Sequence, residues 1–403
     1  MRSGGTLHRA PGSASRPILF AAAAAVGVLL VGSFAYRGNA ANPPPATAEA
    51  LGRELFFDVN LSRNRTQACA SCHSPNLAFT DPRSNEGVGG AVSLGDDGKS
   101  LGERNTPTAA YASLAPKFHI DKEGEPVGGL FLDGRAKDLE EQAGGPPLNP
   151  AEMAMPDKAS VVARLKENPS YVAAFDSLFG GGVLDDPEKG YAAMTKAITA
   201  FERTPEFSPF DSKYDRYLRG EEKLTEQEEL GRVLFFSNQF TNCSQCHRLD
   251  TVGASDKEPF TNYEYDNIGA PANRAVHAAN GKPADRGLSA NPAFKGTPHE
   301  AAMAGKFKVP TLRNVAITAP YMHNGVFNDL RTVILFYDKY NSKAARRQIN
   351  PETGKPWDPP EVPENISLKE LQIGPGLNDK RVDALVAFLK TLTDKRYEPL
   401  LKQ

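Results

Sequence analysis

The chain contains the stretch Cys69-Ala70-Ser71-Cys72-His73, and the same pattern recurs as Cys243-Ser244-Gln245-Cys246-His247. C-x-x-C-H is the attachment signature of a c-type haem, in which both thiols bond to the haem vinyl groups and the histidine binds the iron. The alternatives are a pair of redox disulfides or a zinc site with Cys and His ligands. The two motifs use all four cysteines of the chain. With no cysteine left over, the pattern favours two covalent haems.

The sequence around the two motifs also repeats. LGRELFF at 51–57 precedes the first motif, and LGRVLFF at 230–236 precedes the second. Thr225 and Glu228 form a capping box, which predicts the start of a helix before the second motif. Two later segments each predict one apolar helical face, formed by Met194, Ala197, Ile198 and Phe201, and by Val382, Leu385, Val386 and Leu389. We predict a mainly α fold with two tandem cytochrome c-like domains, 48–205 and 222–403, and long irregular loops.

Composition limits the class of protein. The chain has 403 residues, of which 40% are apolar and 24% charged, as in a soluble globular protein of about two domains. Its 47 Lys and Arg against 49 Asp and Glu give no reason to expect binding to nucleic acid.

The N-terminal residues 1–41 predict export. Arg2, Arg9 and Arg16 precede the uncharged apolar run 18–36, and small residues follow it. This is the pattern of a signal peptide, although 19 residues are also just enough for an uncleaved membrane anchor. Either version predicts a periplasmic protein, with membrane contact only through the anchor.

The sixth ligand of each iron decides whether the haem relays electrons or binds a substrate. In the second unit the candidate ligands are Met322, His323, Tyr337 and Tyr340, and spacing alone does not choose among them. Tyr337 and Tyr340 are predicted to lie in one helix, which Asp329 caps. Between His73 and His119 the sequence has no histidine and no methionine, so the loop 93–98 offers no strong ligand to the first iron. This favours an open first haem; the alternative is that His119 or a methionine of the insert 76–156 folds back onto the first iron. A non-catalytic di-haem electron carrier, the alternative class, would have two closed irons.

Further stretches identify a family. They are LSRNRTQA at 61–68, RNTPT at 104–108, LNPAEM at 148–153, FSPFD at 207–211, PYMHNG at 320–325 and RYEPL at 396–400. With the two haem motifs, they make the chain resemble the bacterial di-haem cytochrome c peroxidases, and within them the MauG branch. The resemblance covers essentially the whole part after the export signal.

The resemblance implies unequal haems. Tyr337 stands where ordinary members of the family have an axial methionine, so it becomes the expected iron ligand opposite His247. Asp96 and Asp97 stand where many of these peroxidases have a histidine that covers the first haem. The first haem, held by His73, is therefore expected to be open.

The resemblance also implies roles around the open haem. Gln142, Pro146 and Glu152 are expected over its free face, with Glu152 as the general acid/base that moves a proton between the peroxide oxygens. Gln142 is expected to hold the oxygen ligand by a hydrogen bond. Asn105 and the backbone carbonyls of Thr318 and Pro320 match a calcium site, and oxygen ligands suit Ca²⁺.

The implied activity uses hydrogen peroxide to form a high-valent iron that oxidises a protein substrate. In the MauG branch this substrate is a methylamine dehydrogenase precursor, whose tryptophan tryptophylquinone is completed by the reaction. The alternative is a cytochrome c peroxidase that takes electrons from a small cytochrome or copper protein.

Two positions depart from the family pattern. Leu132 stands where the family has a tryptophan between the haems, and Thr241 stands where MauG has a tryptophan facing its protein substrate. Leucine and threonine side chains are not oxidisable stations for long-range radical transfer. Trp357, the single tryptophan, lies in a different segment. The sequence therefore predicts a MauG-like haem pocket without the usual conduit.

Overall fold

The computed structural model of the protein describes residues 43–249 and 257–402, and their fold is mainly helical, as predicted. The α-helices are α1 Ala48–Phe56, α2 Cys69–Cys72, α3 Leu139–Ala143, α4 Lys158–Lys166, α5 Pro169–Phe179, α6 Pro187–Glu202, α7 Lys213–Leu218, α8 Glu226–Phe235, α9 Cys243–Cys246, α10 Arg274–Asn280, α11 Leu330–Asp338, α12 Leu368–Leu371 and α13 Asp379–Lys390.

Short elements complete the fold. The 3-10 helices are Val59–Leu61, Ala112–Leu114, Pro146–Leu148, Val183–Asp185, Gly287–Ala290, Glu300–Met303, Val315–Ile317, Ala345–Gln348 and Lys395–Lys402. Three antiparallel pairs of two-residue strands join β1 His119–Ile120 to β2 Pro126–Val127, β3 Tyr265–Asp266 to β4 Phe307–Lys308, and β5 Ile349–Asn350 to β6 Lys355–Pro356.

The predicted export signal, 1–41, lies outside the described residues. Among the helices that the structure does describe, none is long and apolar enough to cross a membrane.

In the first helix pair, α1 and α6 cross in close contact at a glycine. The side chain of Thr47 caps α1 by accepting a hydrogen bond from the Ala50 N–H. α1 then crosses α6 at Gly52, where a Cβ atom would lie only 1.8 Å from the carbonyl oxygen of Ala197. The two backbones can approach this closely only because residue 52 has no side chain.

The same crossing recurs before the second motif. The capping box of Thr225 and Glu228 starts α8, as predicted. α8 crosses α13 at Gly231, where a Cβ atom would lie 1.9 Å from the carbonyl oxygen of Ala384. The Cβ atom of Phe201 in the first pair and that of Phe388 in the second occupy the same place beside the glycine. The two helix pairs therefore repeat one packing arrangement.

Two separate apolar clusters surround these crossings. The first includes the predicted face of α6, with Met194, Ala197, Ile198 and Phe201 all buried. The second includes Val382, Leu385 and Leu389 of the predicted face of α13, whereas Val386 is half-buried. Both clusters belong to one compact unit that begins at Pro43. The boundaries of the two predicted domains stay a prediction.

The segment between the helix pairs contacts both clusters. Phe207 is buried in the first cluster, whereas Tyr214 of α7 is buried in the second. Arg313, almost fully buried, pairs with Asp215 of α7 at 2.6 Å and lies over the ring of Tyr111 from the first half. The connection is therefore an integral part of the packing between the two halves.

Candidate haem sites

The first motif presents its histidine in a fixed orientation. Cys69–Cys72 form the single turn α2, and the His73 N–H closes this turn on the Cys69 carbonyl at 2.9 Å. The His73 Nδ1 lies 3.0 Å from the carbonyl oxygen of Phe79. A carbonyl only accepts, so Nδ1 carries the proton and Nε2 is left for a metal. Burial lowers the pKa of His73, which keeps the imidazole neutral as iron ligation requires.

The second motif repeats this geometry. The turn Cys243–Cys246 is followed by His247, whose Nδ1 lies 3.2 Å from the carbonyl oxygen of Phe260. Burial lowers the pKa of His247 to about 4. Phe79 and Phe260 both have left-handed backbones, with φ of 54° and 57°. Such a conformation is strained for a bulky residue, and here it aims each carbonyl at an imidazole.

The cysteines fit covalent haem attachment. All four are unpaired, so neither motif forms a disulfide. Among the described residues, no cluster of three His, Cys, Asp or Glu side chains is arranged to hold a metal ion, which disfavours a zinc site. Each motif thus presents two thiols and one imidazole on a single turn, the donor set that a c-type haem needs.

Glu152 lies beside the first motif. Burial is the main cause that raises the pKa values of the Cys69 and Cys72 thiols, and the Glu152 carboxylate is a smaller cause that raises both. Asn149 Nδ2 donates a hydrogen bond of 2.7 Å to its Oε1. Burial raises the pKa of Glu152 above its ordinary value, although the Arg135 charge and the Asn149 hydrogen bond oppose this. The carboxyl therefore exchanges a proton more readily near neutral pH than an exposed glutamate does.

Gln142 and Pro146 lie in the same short segment. Gln142 is in α3, and its carbonyl accepts the Gly145 N–H at 2.9 Å, which ends the helix. The Pro146 carbonyl accepts the Met153 N–H at 3.2 Å, so it is tied to the residue after Glu152. Both Gln142 and Pro146 are half-buried. Hydrogen bonds within the segment 142–153 thus connect the stretches that carry the three residues predicted for the open face. Their catalytic roles stay predictions.

The two aspartates of the loop 93–98 both accept hydrogen bonds from the protein. The Asp96 carboxylate is buried, accepting the Asn64 N–H at 2.7 Å and the Thr66 hydroxyl at 2.6 Å. The Asp96 N–H in turn donates to the Glu152 carbonyl at 2.7 Å. Asp97 is exposed and accepts from the N–H groups of Lys99 and Ser100. The loop therefore links Glu152 to the segment before Cys69.

Tyr337 lies at the second motif. Burial raises the pKa of its phenol, and the charges of Cys246 and Cys243 are the next causes, so the ring is close to both thiols. Asp329 caps α11, as predicted, but the helix ends at Asp338, so Tyr340 lies beyond it and not within it as predicted. Tyr337 is therefore the aromatic residue that α11 itself presents to the motif.

The other candidate ligands are engaged elsewhere. His323 stacks on Phe307 with 3.9 Å between ring centres, and its Nε2 lies 3.0 Å from the Glu361 carboxylate. The Tyr340 hydroxyl donates to the Ile268 carbonyl at 2.9 Å. Met322 packs against the second apolar cluster. These contacts leave Tyr337 as the best-placed of the four candidates.

The predicted calcium ligands lie near one another. The Asn105 N–H donates to the His323 carbonyl at 2.8 Å, and its side-chain amide donates to the Ala91 carbonyl at 3.1 Å. Gly90, the residue before Ala91, lies against the ring of Pro320. Thr318 ends the 3-10 helix Val315–Ile317 two residues earlier. Asn105 is thus held against the segment that carries the two predicted carbonyl ligands.

The two residues that depart from the family pattern, Leu132 and Thr241, each form a hydrogen bond within the protein. Leu132 is half-buried, and its carbonyl accepts the Lys308 N–H at 2.8 Å. Thr241 is buried, and its hydroxyl donates to the Leu234 carbonyl. The exposed aromatic residue at this place is Phe240, whose ring lies 5.0 Å from the Arg381 guanidinium. Trp357 instead packs on Phe336, the residue before Tyr337, with 5.5 Å between ring centres.

Several side chains at the motifs were not predicted. Arg83 donates to the Cys72 sulfur at 3.1 Å and pairs with Asp81. The Cys246 thiol lies 3.4 Å from the Asp266 carboxylate, and Glu202 interacts electrostatically with Cys69. Arg83 lies 11 residues after Cys72, whereas Asp266 lies 20 residues after Cys246. Because the two spacings differ, the internal repeat of the sequence does not predict these contacts. For Glu202 the sequence offered a signal, because this acid directly follows Phe201, the last residue of the apolar face of α6.

A di-haem c-type protein is the class that this arrangement defines. A family model described as di-haem cytochrome c peroxidase matches residues 46–223. The chain is 57% identical over 367 residues to the methylamine utilization protein MauG of Paracoccus denitrificans, covering 90% of this chain and 92% of that one. It is 31% identical to the cytochrome c551 peroxidase of Nitrosomonas europaea, over 88% of this chain and 82% of the relative.

Solved structures agree with the sequence relatives. The crystal structure of the di-haem peroxidase BthA from Burkholderia thailandensis matches with a TM-score of 0.78 and 35% identity, over 88% of both chains. The chain therefore belongs to the di-haem cytochrome c peroxidase family, in its MauG branch. As a member, it is an enzyme with two haem groups that uses peroxide, which excludes a non-catalytic electron carrier.

Proposed function

We propose that this enzyme uses hydrogen peroxide to oxidise a protein substrate, and that the substrate is a methylamine dehydrogenase precursor in which tryptophan tryptophylquinone is formed. The observation that carries the proposal is the asymmetry of the two motifs, with a carboxyl, Glu152, at the first and a phenol, Tyr337, at the second. The identity to a relative named as a methylamine utilization protein supports the choice of substrate.

The first site would hold the reactive haem through Cys69, Cys72 and His73. When bound, such a haem supplies one-electron redox chemistry and an iron position at which peroxide binds. Glu152 would accept the proton of one peroxide oxygen at its carboxylate and donate it to the other oxygen, and so would move the proton that release of water from peroxide requires. Gln142 orients the peroxide by a hydrogen bond, and the burial of Glu152 favours rapid exchange of that proton.

The second site would hold its haem through Cys243 and Cys246, with His247 and Tyr337 as the residues that would bind the iron. A phenolate is an anionic donor that stabilises oxidised iron, so this site suits the storage of oxidising equivalents. We further propose two cytochrome c-like domains around the two motifs. The repeated crossings at Gly52 and Gly231 support this division.

Two further elements complete the proposal. Asn105, with the carbonyls of Thr318 and Pro320, would bind Ca²⁺ between the halves, because hard oxygen donors suit that ion. The export signal predicted at 1–41 would place the enzyme in the periplasm, the compartment in which we expect its protein substrate.

A paired assay tests the choice of substrate. The holoenzyme receives hydrogen peroxide together with either a quinone-less methylamine dehydrogenase precursor or a reduced small cytochrome. We expect the quinone absorption of the precursor to appear at a rate well above that without enzyme. Turnover with the cytochrome alone would reject the maturation role and leave the peroxidase activity intact.

The second candidate function is reduction of peroxide with electrons from a small cytochrome or copper protein. It is favoured by Leu132 and Thr241, which offer no oxidisable side chain where long-range radical transfer would need one. Replacing Leu132 by Trp tests this point when the rate of electron exchange between the haems is measured. If the missing oxidisable side chain at residue 132 limits electron transfer, L132W should speed electron exchange between the haems. An unchanged rate would show that the route of transfer avoids residue 132.

A further inference from the structure

The last residue of α6, Glu202, is a carboxyl in a position built for an apolar side chain. The repeated helix crossing makes Ala197 equivalent to Ala384 and Phe201 equivalent to Phe388. By the same count, Glu202 is equivalent to Leu389, which is 4% exposed in the second apolar cluster. Glu202 is itself only 6% exposed. An acid therefore replaces a core leucine in one half of the molecule, the half that holds the proposed reactive haem.

Glu202 and two threonines close to it in the sequence have buried polar atoms. Within the described parts of the chain, the Glu202 Oε2 and the hydroxyls of Thr199 and Thr204 are buried without a hydrogen-bond partner. Thr199 precedes Glu202 by three residues and so shares its face of α6. An unpaired buried carboxylate is costly, and such a group keeps its proton instead. Burial accordingly raises the pKa of Glu202 to about 8, although the Arg203 charge lowers it.

Glu202 interacts with the first motif. Burial is the main cause that raises the pKa of the Cys69 thiol, and the Glu202 carboxylate is the next. Cys69 is the proposed point of covalent attachment, so the carboxyl lies close to the edge of the first haem. Near Glu202 lie the charge of Arg203 and the pair of Arg53 and Glu206. Tyr191, with Lys158 over its ring, lies toward the start of α6, and the Glu152 carboxylate also acts on the Cys69 thiol.

We propose that Glu202 is a proton-binding site coupled to the redox state of the first haem. When an external reductant delivers one electron to that haem, the Glu202 carboxylate takes up one proton from solvent. On oxidation the electron leaves and the proton is released. The physical reason is electrostatic, because a negative carboxylate at the haem edge stabilises the more positive, oxidised iron. The inference rests on the haem attached at Cys69 and Cys72, and is independent of the protein substrate.

Potentiometry of the holoenzyme without peroxide tests this coupling. In the wild type, the midpoint potential of the first haem should be flat well below pH 8. It should fall as the pH rises through the region where Glu202 titrates, with a slope of up to about 59 mV per tenfold change in proton concentration for one electron and one proton. In Glu202→Gln the slope should vanish, because the amide stays neutral, and the potential should stay at the low-pH value.

Two controls separate coupling from loss of structure. Glu206→Gln removes a carboxylate from the same end of α6, but one that is partly exposed and paired with Arg53. This variant should keep the wild-type slope. Infrared difference spectra of the wild type on reduction should show a new protonated carboxyl, which Glu202→Gln abolishes. If the wild type takes up no proton on reduction near pH 8, or if Glu202→Gln folds and keeps the full slope, the proposal is wrong.

Discussion

At the scale of single residues, Glu152 is the group on which peroxide chemistry should depend. It must be a carboxylate to accept the first proton, and burial raises its pKa. Glu152→Gln should slow the reaction with peroxide by roughly 10²–10⁴-fold, the usual contribution of a positioned acid/base. Stopped-flow absorption of the haem bands measures this rate directly.

The pH profile of the same reaction reports the titration of Glu152. Because the pKa of this carboxyl is raised, the wild-type rate should fall with decreasing pH, beginning above the ordinary glutamate value of about 4.3. This acid limb should be missing in Glu152→Gln. Glu140→Gln, which changes an exposed carboxylate in α3, is the matched control and should behave as wild type. An unchanged acid limb in Glu152→Gln would assign the titration to another group.

Tyr337 should determine the potential of the second haem. Tyr337→Met replaces an anionic donor by a neutral thioether, which stabilises the reduced iron, so the midpoint potential of that haem should rise. Tyr340→Phe is the matched control, because the hydroxyl of this nearby phenol donates to the Ile268 carbonyl. Equal potentials in wild type and Tyr337→Met, measured by spectroelectrochemistry, would show that Tyr337 is not the ligand.

At the scale of elements, each helix crossing depends on one glycine. In Gly52→Ala the new methyl group would meet the Ala197 carbonyl oxygen, which belongs to the backbone and has little freedom to move. We expect a loss of unfolding free energy of about 1–3 kcal/mol, as in other overpacked cores. Gly231→Ala should have a similar effect at Ala384. Denaturant unfolding of the holoenzyme measures both.

The control for these variants is Gly181→Ala. A Cβ atom at residue 181 would meet nothing within 4 Å, so the change should alter the unfolding free energy by less than about 0.5 kcal/mol. A cost in Gly181→Ala equal to that in Gly52→Ala would mean that loss of glycine, and not the crossing, is responsible.

The elements themselves could be predicted because their signals are local. Each signal involves residues that are close together in the sequence, as in the capping box at Thr225, the apolar faces of α6 and α13, and the haem motifs. The end of α11 was misjudged, since it depends on contacts outside the helix. Asp338, its last residue, pairs with Arg347 at 3.0 Å and accepts the Leu377 N–H at 2.7 Å.

The surroundings of the haem motifs could not be predicted for the same reason. The carbonyls that orient the two histidines come from Phe79 and Phe260, which lie 6 and 13 residues after them. Both depend on a left-handed backbone that a phenylalanine rarely adopts, so its residue type gives no signal. Only the completed fold places Glu202 at Cys69.

At the scale of the whole molecule, buried polar contacts join the two halves. The Tyr111 hydroxyl donates to the Asp394 carboxylate at 2.6 Å, and the Tyr397 hydroxyl donates to the Pro75 carbonyl at 2.8 Å. Arg104 of the first half pairs with Asp285 of the second half and with Asp133, and its side chain is 14% exposed. Contacts of this kind fix the relative position of the two motifs, on which transfer between the haems depends.

Arg104 should therefore contribute strongly to stability. Burial alone would raise the pKa of Asp285, but the hydrogen bond and charge of Arg104 outweigh burial and hold that pKa below its usual range. Arg104→Ala leaves the largely buried Asp285 carboxylate without its cation, whereas Asp133 keeps its pair with Arg135. The change should cost about 3–5 kcal/mol of unfolding free energy at neutral pH. The control Arg274→Ala breaks an exposed pair with Asp358, and its cost should stay below about 1 kcal/mol.

The pH dependence of this stability difference distinguishes lost ion pairs from lost packing. Because the folded-state pKa of Asp285 is lowered, the stabilisation from its pairing is complete above the ordinary aspartate value of about 3.9 and is lost as the pH falls through the lowered value. The gap between wild type and Arg104→Ala should therefore narrow as the pH falls below about 4. The unfolding free energies of both proteins, measured across this pH range, show whether the difference narrows. A gap that stays constant in acid would show that the Arg104 side chain stabilises the joined halves by packing alone.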